Sequence, residues 1–136
     1  MAGSVLVDAG FVIALLSRRD GHHHWAVAQS SRYPPPWSTC EAALSEGFHL
    51  LGGNAAPVLA ALLRRRAMVP SFDLNAEMRP VLHLMQRYEN VPMSLADGCL
   101  VRMTETRADP ILLTTDGDFR IYRRHGRQTA PAVLPD

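Results

Sequence analysis

The chain has 136 residues, 47% of them apolar, and its 14 basic and 13 acidic side chains leave a formal net charge of +1. This length suits one domain of the commonest size, so residues 1–136 read as a single unit. The apolar share excludes a disordered chain, and the charge balance excludes a globally basic nucleic-acid binder while leaving local patches open. All fourteen basic residues are Arg. Coding bias accounts for that, although guanidinium groups also suit bidentate contact with phosphate.

Val5 to Val7 reads as a short buried strand, and Gly10 to Leu16 as an apolar helix stopped at Ser17-Arg18-Arg19-Asp20-Gly21. The apolar run from Val5 to Leu16 is interrupted by Asp8, lacks a basic leader and is too short to span a bilayer. The expectation is no membrane segment, no secretion signal and a cytoplasmic protein. His22 to Ser31 is helical and ends before Pro34-Pro35-Pro36. Trp37-Ser38 ends a second strand. Thr39 to Leu51 is a helix stopped by Gly52-Gly53, and Ala56 to Arg66 is another, basic in its last turn. Ala67 to Phe72 reads as a strand, Leu74 to Glu89 as a helix despite Pro80, and Leu95 to Arg107 as a helix. Ile111 to Leu113 is a clear strand, Phe119 to Arg124 a short helix, and Ala132 to Leu134 an edge strand. Strands alternating with helices predict an α/β domain with a mostly parallel sheet. Cys40 and Cys99 read as buried reduced thiols.

Four acids stand just past or beside apolar stretches: Asp8, Glu46, Asp97 and Asp116. A carboxylate at the end of a buried strand is costly unless paired, hydrogen-bonded or metal-bound. Ligands of α/β sheets bind beyond the carboxyl ends of the strands. Asp8 and Asp116 fall at that edge, and the segments carrying Glu46 and Asp97 can reach it. The set predicts one acidic pocket for a hard divalent cation. Each acid also has a structural explanation. Asp8 could cap the following helix. Ser38 and Glu41 have capping-box spacing, which gives Glu41 a structural role and leaves Glu46 for the site. Ser94 and Asp97 form a similar pair. Asp116-Gly117-Asp118 is a turn, with Asp118 the reserve ligand.

His22-His23-His24 cannot face one ion together from a helix. Arg64-Arg65-Arg66 and Arg120, Arg123, Arg124 and Arg127 are basic clusters on solvated faces or beside phosphates. Missing are GxxxxGK followed by Ser or Thr, GxGxxG, GxSxG and HExxH.

In order, Val5-Leu6-Val7-Asp8-Ala9-Gly10, Ser38-Thr39 through Ser45-Glu46 with Phe48-His49-Leu50-Leu51, Pro92 through Asp97, and Leu112 through Phe119 resemble the PIN-domain ribonucleases. The resemblance is strongest to the VapC toxins of toxin–antitoxin pairs. Ala9 stands where that family usually has Thr or Ser. The resemblance implies a three-layer α/β/α sandwich and Mg2+- or Mn2+-dependent endonuclease action on RNA. It also implies a homodimer and a cognate VapB-like antitoxin. Asp8, Glu46, Asp97 and Asp116 would be catalytic and hold the metal, with Asp118 a further ligand. Two alternatives are another magnesium-dependent phosphohydrolase and a non-catalytic binding module of PIN-like fold.

Overall fold

The structure is a computed structural model that describes residues 3–136. Its centre is a sheet of five short parallel strands. They are β1 (Ser4–Val7), β2 (Trp37–Thr39), β3 (Met68–Pro70), β4 (Pro110–Leu113) and β7 (Ala132–Val133), in the order β3-β2-β1-β4-β7. Five helices flank it: α1 (Ala9–Leu16), α2 (His23–Arg32), α3 (Glu41–Arg64), α4 (Leu74–Arg87) and α5 (Leu95–Thr106).

The central strands are apolar on consecutive residues because both faces are covered, as parallel sheets require. Leu6 and Leu112 pack with Val81, Leu84, Leu100 and Met103 of α4 and α5. Val7 and Leu113 pack on the other face with Phe11, Ala26 and Leu59 of α1, α2 and α3. The result is the expected three-layer α/β/α sandwich. No helix among the described residues is long and apolar enough to cross a membrane.

Several local expectations need correction. The break expected at Gly52-Gly53 is not one of them: Gly52 leaves helical geometry (φ 71°, ψ −165°) and separates two helical stretches, which α3 spans together. Glycine ends the first stretch because it adopts this backbone freely, and helical turns resume at once beyond it. Ser38 lies inside β2, so it cannot form the capping box with Glu41. The cap of α3 is Cys40, which makes no side-chain capping bond. Pro80 is accommodated where Glu77 leaves helical geometry (φ −104°, ψ 15°), within the turn that a proline disrupts.

The helix expected over Phe119 to Arg124 is a single 3-10 turn, Gly117–Arg120. It is followed by an antiparallel hairpin of β5 (Arg123–Arg124) and β6 (Gln128–Thr129). Gly126 at φ 77° and His125 at φ 51° close that hairpin. Cys40 and Cys99 are both buried and free. They are far apart in sequence but neighbours in space, and the nearby Cys99 thiol, with burial, pushes the Cys40 thiol up.

Candidate active site

The register of the central strands assembles the site. Val7 of β1 pairs with Leu113 of β4, so Asp8 and Thr114 leave the sheet side by side. The Asp8 amide donates to the Leu113 carbonyl at 3.3 Å. Its Oδ1 accepts from the Phe11 amide at 2.9 Å, which caps α1 as the capping alternative expected. Its Oδ2 accepts from the Thr114 hydroxyl. Thr114 Oγ1 in turn accepts from the Asp116 amide at 3.0 Å. Asp116 Oδ1 caps the 3-10 turn by accepting from the Asp118 amide at 2.9 Å.

Asp97 arrives from another direction, in the first turn of α5. Ser94 Oγ accepts from its amide at 3.0 Å. Its own Oδ2 accepts from the Tyr122 hydroxyl at 2.9 Å. Glu46 projects from the first half of α3 and is exposed.

Asp8, Glu46, Asp97 and Asp116 line one cavity of about 110 Å³, together with Gly10 and Leu100. Two larger hollows hold none of these acids. One, of about 850 Å³, lies at the start of β1 and β4 beside Arg32 and Asp109. The other, of about 500 Å³, lies between the end of α1 and the middle of α3. The small acidic cavity sits at the carboxyl edge of the sheet, beside the point where the strand order reverses at β1, which is where open α/β sheets hold ligands.

Charge in this cavity is uncompensated. Among the described residues the two ion pairs both come from Arg102, to Glu77 and Glu105, and neither touches the site. Burial pushes the Asp8 carboxyl up to about 7. The charges of Asp116 and Asp97 add to this, and the bonds from Thr114 and Phe11 oppose it. Burial also raises the Asp97 carboxyl, as does Asp116, against the bonds from Tyr122 and Ser94. The Tyr122 phenol is pushed up by burial and then by Asp97.

Asp118 does not line the cavity, and its charge bears on Tyr122 instead. Glu41 also lies off the cavity, and Glu46 lies on it. His22, His23 and His24 stand elsewhere, at the start of α2, with His23 Nδ1 2.8 Å from the Ala14 carbonyl oxygen. Sequence reasoning quoted Gly10 and Thr114 within the family-like runs but gave neither a place in the site, and it passed over Tyr122. Thr114 was open to discovery, because a Thr directly after a buried strand and two residues before an Asp has ST-turn spacing.

The donor set suits a hard divalent cation: it is all oxygen, mutually repelling and without a basic partner. Gly10 lines the cavity and permits close packing of Thr115, since a Cβ there would collide with Thr115 Oγ1 and stand 3.5 Å from Asp8 Oδ1. Among the described residues no three His, Cys, Asp or Glu side chains are drawn into a ready ligand cluster. The fit is therefore one of donor chemistry and charge, with the carboxylates spread around the cavity wall.

No protein-family model and no curated protein matches the chain. Among solved structures it is similar to the crystal structure of VapC20 of Mycobacterium tuberculosis, a sarcin-ricin loop cleaving toxin. The two are 24% identical, the match covers 85% of this chain and 92% of that one, and the TM-score is 0.69. The fold is PIN-like. It agrees with the sandwich that the ordered motifs implied.

Proposed function

We propose that the chain is an Mg2+- or Mn2+-dependent endoribonuclease and the toxin of a VapBC-type toxin–antitoxin pair. On this reading it is one PIN-like domain that acts in the cytoplasm as a homodimer and is held in check by a VapB-like antitoxin. The observation that carries the reading is the meeting of Asp8, Glu46, Asp97 and Asp116 around one cavity with no cationic partner. A bare carboxylate cluster repels RNA, so a cation must reverse the sign of the site before a phosphodiester can enter. Asp8, Glu46, Asp97 and Asp116 would hold the ion, with Asp118 in reserve. A divalent ion held there would supply charge neutralisation and activation of water for in-line attack on phosphorus.

The remaining work falls to the chain. Thr114 and the Phe11 amide fix both oxygens of Asp8. Gly10 lets Thr115 pack against the start of α1 beside Asp8. Arg120 and Arg127 are exposed and would take the RNA backbone.

A phosphatase with an aspartyl nucleophile would place a second acid two residues on, where this chain has Gly10 against Thr115. A decayed binding module would not be expected to keep all four acids. The test is brief induction of wild type and Asp97→Asn in cells, with sequencing of RNA ends. New ends and growth arrest are expected with wild type alone, and the loop that VapC20 cleaves is the first place to look. The same ends from Asp97→Asn would defeat the assignment.

A further inference from the structure

We propose that Tyr122 is a positioning residue that holds Asp97 in the carboxylate set. The inference rests on the nuclease reading above. The hydroxyl of Tyr122 lies 2.9 Å from Asp97 Oδ2, and the residue is completely buried. Its ring is fixed between Tyr88 and Phe119, with centroids at 5.1 and 5.2 Å, both edge-on. Its amide donates to the Asp118 carbonyl at 3.2 Å. One 3-10 turn thus carries Asp116 at its start and Tyr122 just beyond its end. The turn ties one acid of the site to the anchor of another.

Asp97 needs such an anchor because it has a competing partner. It stands three residues after the Ser94 cap, and a carboxylate at that position can fold back onto the cap as a purely structural group. The phenol holds Oδ2 while Ser94 also bonds the carboxyl, so the two partners share this side chain. Outer partners of this kind set the affinity of a metal site without touching the ion. Tyr88 is the natural control. It is a neighbouring tyrosine whose hydroxyl accepts from the Arg123 amide at 3.0 Å and has no bond to the acids.

The experiment measures Mn2+ binding by calorimetry on the purified full chain without RNA, and then cleavage kinetics. Tyr122→Phe is expected to bind Mn2+ about tenfold or more weakly than wild type. Its kcat should fall while KM for RNA stays within about twofold, the pattern of a lost transition-state interaction. Tyr88→Phe should bind Mn2+ like wild type. If Tyr122→Phe binds Mn2+ like wild type while wild type binds and cleaves, the positioning role is overturned and the nuclease reading survives. A wild type that neither binds nor cleaves removes both. Should Tyr122→Phe not fold, wild type labelled at tyrosine Cζ decides. The Tyr122 signal must move as Mg2+ is added while that of Tyr33 stays, and a static Tyr122 signal overturns the proposal.

Discussion

Asp8 is 7% exposed, and each of its oxygens accepts a hydrogen bond from the protein. Burial still dominates, so its carboxyl is raised from 3.8 to about 7. A group raised in this way stabilises the fold while protonated, below its ordinary value, and that contribution is lost as pH climbs through about 7. Asp8→Asn should therefore be more stable than wild type at pH 8 in the presence of chelator. The gain is up to ~4 kcal/mol, taking about 1.4 kcal/mol for each pH unit of the shift. The gap should close by about pH 4, where both side chains are neutral. Urea melts at the two pH values check this. Adding Mn2+ at about a hundred times its Kd should then stabilise wild type by ~2.7 kcal/mol and leave Asp8→Asn almost unchanged. Equal stabilisation of both would place the ion elsewhere. Asp8 was legible because a charge after Val5-Leu6-Val7 contradicts its surroundings. Tyr122 was not, because a phenol 25 residues from its partner carries no local signature.

At the scale of elements, the regular pieces were legible where pattern and burial agree. β1 and β4 are apolar on consecutive residues because helices cover both faces, and α1, α2 and α5 follow within a residue or so of their expected ends. The errors lie where tertiary contacts decide. Ser38-Thr39-Cys40-Glu41 has the spacing of a cap, but pairing of Ser38 with Leu6 and Val69 draws it into the sheet. Arg123 and Arg124 have no strand pattern and are held as a hairpin by side chains. Arg123 Nη1 donates to the Arg120 carbonyl at 2.8 Å, and Arg124 donates to the Thr104 carbonyl. Gly52 and Gly53 look alike in sequence, yet only Gly52 has a backbone closed to other residues. Gly52→Ala should cost ~1–3 kcal/mol. Gly53→Ala, in open helical surroundings, should be neutral or stabilising by up to ~1 kcal/mol. Thermal melts of the pair separate these outcomes.

Over the whole molecule, the net charge of +1 hides a division of labour. Acids line the cavity, and the arginines of the 3-10 turn and hairpin differ in what they can do. Arg123 and Arg124 are committed to backbone carbonyls, while Arg120 and Arg127 are exposed. Arg120→Ala should weaken RNA binding and reduce the salt slope by about one. Arg124→Ala should instead lower thermal stability, which filter binding and melts distinguish. Arg120 and Arg127 matter only if the acidic cavity works on RNA. The most direct measurement is cleavage of end-labelled RNA by purified wild type and Asp8→Asn, each in Mg2+ and in EDTA. The account predicts cuts only by wild type with Mg2+, with a loss of at least about a hundredfold in each other condition, the scale of a removed catalytic group. Cleavage at the wild-type rate by Asp8→Asn, or in EDTA, would contradict it.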